Sequence, residues 1–289
     1  MSLEFKRLHP HFFAEASPVA LRALNDPDAL AAIRAAMDAH AVIVFHDQAF
    51  TDAEQLAFAR RLDGELHAKT GARVVAKSRL GEDEALTDIS NVGADGGLLS
   101  ADDRQRLYRL GNRLWHTDAS FEDPPGRYSM LHARMVPPSE AGGDTEFADM
   151  RTAYDALDPK TKAKLEGLRV HHSIAYSRRT LGFEFSAEEE KRLPGAEHPL
   201  VRALPSGRKS LYLASHAAEV LGWNLPEGRL LLRELIEHAT QPQFVHRHAW
   251  RAGDLVIWDN RATMHRATPF DDAQLRRELR RVTTLDITA

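Results

Sequence analysis

The chain of 289 residues is 43% hydrophobic, carries a formal net charge of −4 and contains no cysteine. Its length and apolar content suit one large β-rich domain, and the missing cysteine excludes disulfides and thiolate metal ligands. The slightly acidic balance gives no indication of binding to nucleic acid or to a membrane surface.

The N-terminus and the hydropathy pattern give no targeting signal. Residues 1–6 lack the apolar segment of a secretory signal. No apolar run approaches the roughly 18 residues that a membrane helix needs. We therefore expect a cytoplasmic protein, and the sequence leaves open whether it forms a homo-oligomer.

The first part of the chain is predicted to place two helices around a buried strand. Residues 1–24 are predicted to form short strands and turns. Asn25-Asp26-Pro27 begins a helix, because an N-cap residue and proline precede apolar positions at helical spacing. The β-branched residues at 41–45 indicate a buried strand. Thr51 and Glu54 form the capping box of a second helix, and both helices are expected to cover a sheet.

The next segment is polar and irregular. Residues 64–84 are rich in Gly, Lys and Arg and are predicted to form a mobile loop, followed by a strand at 85–92. Residues 93–109 contain a short charged helix after Ser100. Because long irregular stretches are often functional, a lid over a site and a solvated insertion both remain open here.

The rest of the chain alternates short strands with a few helices. Helices are predicted from Asp149 to Leu157, from Asp158 to Leu168 and from Glu227 to Thr240. Strands are predicted at 114–118, 128–136, 170–174, 244–250, 254–258 and 279–285, with a turn into a strand at 142–147 and a hairpin of 198–203 with 209–213. No internal repeat, linker or Gly-x-Gly-x-x-Gly motif is present. The predicted class is a β-rich α+β fold, with residues 1–289 forming one domain.

Trp115-His116-Thr117-Asp118 is the strongest indication of chemistry. On an extended strand His116 and Asp118 point to the same side, so both can reach one metal ion. A distant His265, preceded by Trp258-Asp259-Asn260, would complete the two-histidine, one-carboxylate triad of non-haem Fe(II) oxygenases. A double-stranded β-helix (jelly roll) with flanking helices can bring the three together, since inward-facing residues of separate strands meet inside it.

Each part of this pattern is weak alone. A His-x-Asp pair is most often a surface feature, and the chain has 15 histidines. The joint pattern is more specific, because tryptophans precede both ligand segments and an arginine follows the second histidine. His171 and His172 are not expected to be ligands, since nothing supplies a second triad.

The cluster Arg276-Arg277-Glu278-Leu279-Arg280-Arg281 supplies cations for organic acids. Two imidazoles and one carboxylate neutralise only one charge of Fe(II), which favours an anionic chelating cosubstrate such as 2-oxoglutarate. On a strand Arg277 and Arg281 share the face that Leu279 marks as interior, where each guanidinium needs an anion. One anion is 2-oxoglutarate, whose distal carboxylate suits the planar arginine fork and the Thr145 hydroxyl. The other anion can be the acid group of the substrate, and the remaining two arginines are expected to be solvated.

These segments resemble the taurine/2-oxoglutarate dioxygenase family, and within it the 2,4-dichlorophenoxyacetate (2,4-D)/2-oxoglutarate dioxygenases. The similarity extends over nearly the whole chain. It is carried by residues 88–92, 114–118, 127–131, 142–147, 150–157, 258–261 and 276–281.

The resemblance implies both an activity and residue roles. Fe(II) would be bound by His116, Asp118 and His265, 2-oxoglutarate by Thr145 and Arg277, and the substrate carboxylate by Arg281. The implied reaction consumes O2 and 2-oxoglutarate and hydroxylates an aryloxyacetate beside its ether oxygen, giving a phenol, glyoxylate, succinate and CO2. Weaker candidates for contacts with this small-molecule carboxylate are Ser90, Asn91 and His216, for which a strand-end or core role is the alternative.

Two other functions remain open. A taurine-like sulfonate or alkyl-sulfate dioxygenase would use the same metal site, and Arg281 would bind either anion. A non-catalytic jelly-roll metal-binding protein would leave Arg277, Arg281 and Thr145 without a ligand.

Overall fold

The computed structural model describes residues 3–68, 79–80 and 84–287. Within these ranges the helices are α1 (Pro27–His40), α2 (Asp52–Asp63), α3 (Arg104–Arg109), α4 (Met150–Asp155), α5 (Pro159–Leu165), α6 (Ile174–Arg179), α7 (Ala187–Lys191) and α8 (Leu225–Ala239). The strands are β1 (Phe5–Arg7), β2 (Ala14–Ala16), β3 (Val42–Phe45), β4 (Leu86–Ser90), β5 (Gly126–Met135), β6 (Thr145–Asp149), β7 (Arg169–His172), β8 (Ala196–Pro199), β9 (Val201–Ala203), β10 (Lys209–Leu211), β11 (Ala217–Val220), β12 (Val245–His248), β13 (Leu255–Asp259), β14 (Thr263–Ala267) and β15 (Glu278–Leu285). The predicted β-rich α+β class is confirmed.

The largest sheet has seven strands in the order β1-β2-β3-β13-β5-β15-β4. All pairs are antiparallel except β2 with β3. The last strand, β15, lies between β5 and β4, so it is paired along both edges. Residues of this strand are therefore hydrogen-bonded to neighbouring strands on both sides.

The seven-stranded sheet is covered on both faces because its strands carry apolar residues at successive positions. Ile43, Met130 and Val282 point to one face and pack against α1 and α2. Val44 and Leu279 point to the other face, in a second core. This alternation follows from the two-residue period of a strand.

A three-stranded sheet, β12-β6-β14, packs against that second face. Phe147 of β6 contacts Trp258 of β13, with ring centroids 5.5 Å apart. The remaining sheets, β11-β7-β8 and β10-β9, surround a third core with α4 and α8. The candidate site lies where β14, β15 and the chain before β5 meet.

The residues predicted to cap helices are confirmed as N-caps. Asp26 caps α1 and Pro27 is its first residue. Thr51 and Glu54 form the reciprocal capping box of α2. Asp149 and Asp158 cap α4 and α5. These signals depend on neighbours in sequence, so they can be recognised without the fold.

Several expectations need correction. Residues 114–118 do not form a strand: His116 makes a single bridge to His265, and the chain then turns. Strand β14, which carries His265, was not predicted. The strand expected at 170–174 ends at His172, because Ser173 caps α6. The loop expected at 64–84 falls mainly on 69–78 and 81–83, which lie outside the described residues.

No described helix combines the length and the apolar composition needed to cross a membrane.

Candidate metal and cosubstrate site

His116 and His265 are joined through their backbones. The N–H of His116 donates to the carbonyl of His265 at 3.0 Å, and the N–H of His265 donates back at 2.8 Å. The two imidazole rings lie side by side, with centroids 4.1 Å apart. This isolated bridge replaces the predicted strand and holds the two histidines as a pair.

Asp118 completes a buried three-residue cluster with this pair. Nε2 of His116 lies 3.9 Å from one Asp118 carboxylate oxygen, and Nε2 of His265 lies 3.7 Å from the other. One ligand atom from each of the three residues lies within 4.8 Å of the others. The residues are between 4% and 6% exposed, so the cluster is shielded from bulk water.

Both imidazoles are in the neutral form that binds metal ions. Burial lowers the pKa of His116 to about 4, although Asp118 opposes the shift. Burial also lowers the pKa of His265 well below its usual value. Nδ1 of His116 lies 2.8 Å from the Leu114 carbonyl and must donate there. Its Nε2 lone pair is therefore directed to the cluster, the arrangement by which proteins orient metal-binding histidines.

The Asp118 carboxylate is held by a chain of hydrogen bonds. The Ser129 hydroxyl donates to it at 2.8 Å, and the Asn260 amide donates to Ser129 at 2.9 Å. The Asn260 oxygen accepts from the backbone N–H of Asp118 at 3.0 Å. Burial alone would raise the pKa of Asp118, but Arg281 and the two histidines lower it to about 2. The carboxylate is therefore ionised and oriented.

A cavity beside the histidines contains the predicted cosubstrate residues, Arg277 and Thr145. The Arg277 guanidinium is buried and forms no ion pair with a described residue, and burial lowers its pKa to about 10. Its Nε donates to the Gly143 carbonyl at 3.0 Å, which fixes its direction. The Thr145 oxygen accepts from the Trp250 indole at 3.0 Å, so the Thr145 hydroxyl proton remains free to donate into the cavity.

A second cavity is lined by His116 and Asp118. Arg281 lines both cavities and pairs with the Asp118 carboxylate. His216 lines only the second cavity; its Nδ1 lies 3.2 Å from the Ser120 hydroxyl, and its Nε2 has no described hydrogen-bond partner. The site thus offers two adjacent cavities that share His116 and Arg281 in their walls.

Ser90 and Asn91 lie on the Arg277 cavity rather than on the second one. The Asn91 amide donates to the carbonyls of Asp272 and Leu275, at 2.8 and 2.7 Å, and Ser90 donates to Asp88 at 2.9 Å. Asn91 therefore holds the chain that leads into β15.

The sequence does not identify every residue of the site, and it predicts the wrong environment for one arginine. Arg280 was expected to be solvated, but it is buried and lies 2.9 Å from Asp88, because β4 and α2 cover that face. Ser129 was not singled out, although it lies in one of the motif segments. Asn260 was noted only as part of a motif. Arg178, buried on the second cavity, carried no sequence signal at all.

Two imidazoles and one carboxylate characterise non-haem Fe(II) oxygenases. The neighbouring Arg277 guanidinium, which is buried and forms no ion pair with a described residue, can receive an organic acid. A model of the taurine catabolism dioxygenase TauD, TfdA family matches residues 4–283. The chain belongs to this family, and it is a 2-oxoglutarate-dependent dioxygenase that uses Fe(II) and O2.

Two relatives are similar along nearly their full length. The alpha-ketoglutarate-dependent 2,4-dichlorophenoxyacetate dioxygenase of Burkholderia sp. (strain RASC) is 45% identical over 287 residues, covering 99% of this chain and 95% of the relative. The enzyme of the same description from Cupriavidus pinatubonensis (strain JMP 134 / LMG 1197) is 46% identical over 288 residues, covering 99% of both. The solved structure of AAD-2 in complex with Mn(II) and N-oxalylglycine has a TM-score of 0.89 at 45% identity, covering 100% of this chain and 98% of that one.

Proposed function

We propose that the protein hydroxylates aryloxyalkanoates such as 2,4-D, with Fe(II) held by His116, Asp118 and His265. The observation that carries the proposal is the convergence of these three ligand atoms within 4.8 Å, beside two cavities that each contain a buried guanidinium. The donor set fits Fe(II), because neutral imidazoles and an ionised carboxylate leave coordination positions open. When bound, the metal and 2-oxoglutarate supply the oxidising power with O2.

Arg277 and Thr145 bind the distal carboxylate of 2-oxoglutarate. The guanidinium is buried and has no ion-pair partner among the described residues, and such a charge requires an anion. The Thr145 hydroxyl adds one donor, since its oxygen already accepts from Trp250. The Gly143 carbonyl orients the guanidinium and leaves its other N–H groups for the carboxylate.

Arg281 receives the substrate carboxylate. In the structure it pairs with Asp118. A metal ion held by Asp118 would share that carboxylate's charge, which would leave the guanidinium available to an incoming anion. Hydroxylation of the carbon between the ether oxygen and the carboxylate gives a hemiacetal. Its collapse breaks the bond between the hydroxylated carbon and the ether oxygen. The ether oxygen leaves on the ring as a phenol and the carbon becomes the aldehyde of glyoxylate, alongside succinate and CO2.

The names of the relatives support this substrate class, since two of them act on 2,4-dichlorophenoxyacetate. The test is product analysis with 2,4-D: phenol, glyoxylate and succinate should appear in equal amounts, and only with Fe(II) present. Succinate release stimulated by taurine or an alkyl sulfate, but not by phenoxyacetates, would overturn the substrate and favour a sulfonate or sulfate dioxygenase.

The three ligand residues are tested by substitution. His116→Ala, Asp118→Ala and His265→Ala should each abolish turnover and weaken Mn(II) binding in calorimetry, because each removes one of three ligands. Circular dichroism should show that the fold is retained. His216→Ala provides the control for a buried histidine outside the cluster, and it should retain Mn(II) affinity. Full activity in any one of the three ligand variants would contradict this assignment.

We also infer that the chain forms one double-stranded β-helix domain. The packing of β12-β6-β14 against the seven-stranded sheet supports two facing walls around the site. Pairing of β13 with β3, and of β15 with β4, ties distant parts of the chain into one sheet.

A further inference from the structure

Arg178, near the end of α6, is buried in the wall of the second cavity, with 3% of its surface exposed. Its guanidinium packs directly on Gly111, where an added Cβ would lie 2.2 Å from Cζ of Arg178. The same group lies over the Tyr108 ring, with Cζ 4.7 Å from the centroid. Glycine at position 111 therefore leaves the space that the guanidinium fills.

The hydrogen bonds of Arg178 all go to neutral acceptors. Nε donates to the Tyr108 carbonyl at 2.9 Å, and the other nitrogens donate to the Ser177 hydroxyl at 3.3 Å and the Asn112 amide oxygen at 3.4 Å. These bonds fix the position of the guanidinium but leave its charge uncompensated. Burial lowers its pKa, as expected for a cation removed from water.

Arg178 differs from most other buried arginines because it has no acidic partner among the described residues. The buried arginines of the described chain are Arg151, Arg178, Arg261, Arg277 and Arg280. Three of them form ion pairs, Arg151 with Asp149, Arg261 with Asp259 and Arg280 with Asp88. Arg178 and Arg277 form none with a described residue. Arg277 faces the cavity that would hold the anionic cosubstrate. By analogy, we expect Arg178 to face a second anion.

The acidic groups on the second cavity are already engaged. Asp88 lies 2.7 Å from Arg79 and 2.9 Å from Arg280. Asp118 pairs with Arg281 and belongs to the metal cluster. No acidic side chain among the described lining residues is left to balance Arg178. The cavity therefore carries an unmatched positive charge beside the place of reaction.

We infer that Arg178 is a second cationic anchor for the anionic head group of the organic substrate, acting together with Arg281. This inference rests on the proposed function, because it assumes that the substrate enters the second cavity. Arg281 is supplied by β15 and Arg178 by α6, so one carboxylate would be held by two separate elements. Two guanidinium groups select an anionic substrate over a neutral one of the same shape and fix the carbon beside the carboxylate relative to the metal cluster.

The test measures binding without turnover. Phenoxyacetate is titrated calorimetrically into the anaerobic complex of the full chain with Mn(II) and N-oxalylglycine. Arg178→Gln should raise the dissociation constant for phenoxyacetate on the order of tenfold to hundredfold, the loss expected for a charge-assisted hydrogen bond. Affinity for N-oxalylglycine should change by less than about twofold, because that ligand occupies the other cavity.

Arg179→Gln is the matched control, since the neighbouring Arg179 is an exposed arginine on the same helix and pairs with Glu190 at the surface. It should leave phenoxyacetate affinity unchanged. Neutral 2-phenoxyethanol distinguishes charge recognition from a packing defect. Its weak affinity should be equal in wild type and Arg178→Gln, whereas a collapsed cavity would lose both ligands.

A second variant keeps the inference testable if Arg178→Gln does not fold. Gly111→Ala displaces the guanidinium without removing its charge, and it should also weaken phenoxyacetate binding more than N-oxalylglycine binding. If Arg178→Gln or Gly111→Ala folds and binds phenoxyacetate as tightly as the wild type does, the inference is overturned. The proposed function is judged separately, because it stands as long as the wild-type enzyme releases phenol. A wild-type complex that prefers 2-phenoxyethanol to phenoxyacetate would overturn both.

Discussion

Arg277 and Arg281 lie on one strand face, but Arg277 lines only the first cavity whereas Arg281 lines both, so their roles should separate in kinetics. Arg277→Ala leaves the distal carboxylate of 2-oxoglutarate without its buried partner, a loss of about 3–5 kcal/mol. We expect the KM for 2-oxoglutarate to rise at least about a hundredfold. Arg281→Ala should instead raise the KM for the aryloxyacetate and produce succinate in excess of phenol, because a loosely held substrate is misplaced.

Steady-state kinetics with each substrate varied in turn distinguishes the two roles. Arg276→Ala serves as the control, because Arg276 is exposed and pairs with Glu278 at the surface. Equal increases of both KM values in both variants would contradict the proposed division of roles between Arg277 and Arg281. A reversed pattern would show that the two arginines exchange roles.

Ser129 should tune metal affinity through Asp118 without touching the ion. Ser129→Ala removes the hydroxyl that donates to the carboxylate at 2.8 Å and also leaves the Asn260 amide without its acceptor there. Loss of such a supporting contact typically weakens metal binding about 10- to 100-fold. Calorimetric titration with Mn(II) measures the change.

Ser210→Ala is the corresponding control. Ser210 is also fully buried, but its hydroxyl has no described hydrogen-bond partner. It should leave the Mn(II) dissociation constant unchanged. If both serine variants weaken the metal equally, a general loss of packing rather than the contact to Asp118 is responsible.

At the residue scale, the sequence predicts the chemistry of a side chain better than it predicts what surrounds that side chain in the fold. The side chains of His116, Asp118 and His265 have ligand chemistry that can be named before the fold is known. The environment of Arg280 could not be, because Asp88 and α2 approach its face only after β4 pairs with β15. Arg178 escaped notice for the same reason: its cavity is built from elements far apart in the chain.

At the scale of elements, the turn before β6 should be sensitive to a single methyl group. Gly142 has a φ of +82°, and an added Cβ would lie 2.4 Å from the Pro269 carbonyl oxygen. That carbonyl cannot move away freely, because it accepts a hydrogen bond from the Gly143 N–H. Gly142→Ala should therefore destabilise the protein by about 1–3 kcal/mol beyond the conformational cost.

Gly207 offers the matched comparison, since its φ is +80° and an added Cβ would meet nothing within 4 Å. Gly207→Ala should lower the free energy of unfolding only by the strain of a non-glycine residue in the left-handed conformation, about 1–2 kcal/mol. Urea denaturation of both variants gives the difference. Equal losses would contradict a steric role for Pro269. Because β6 begins at Thr145, Gly142→Ala alone should also raise the KM for 2-oxoglutarate.

Elements with local signals were predictable, whereas those defined by long-range contacts were not. Capping residues of α2 and α5 are read from neighbouring positions. Strand β14 has no clear apolar alternation and forms because β6 pairs with it. The segment at 114–118 fails as a strand because Ala119 adopts a φ of +54° and turns the chain after one bridge.

For the whole molecule, buried neutral histidines predict acid sensitivity. Burial lowers the pKa of His132 to about 4 and that of His172 to about 3, from the ordinary value of 6.5. The unfolded chain therefore binds protons first as the pH falls. The stability that these residues contribute is complete above pH 6.5 and is lost towards pH 4, at up to about 1.4 kcal/mol per pH unit for each group.

Urea denaturation between pH 4 and pH 8 measures this dependence. His172→Gln should reduce the slope of unfolding free energy against pH by about one proton's contribution. A wild-type free energy of unfolding that stays constant or rises between pH 6.5 and pH 4 would contradict the prediction, as would an unchanged slope in the variant.

The position of β15 between two strands has a consequence for how new specificities arise. Arg277 and Arg281 are four positions apart, in and beside a strand that is hydrogen-bonded along both edges. Inserting or deleting one residue between them would turn one guanidinium to the face covered by helices. Descendants of this chain can therefore exchange side chains around the cavities but cannot change the spacing of the two guanidinium groups that bind the acids. Longer or shorter substrates must be accommodated by surrounding segments, such as the turn that contains Gly111 and the helix α6.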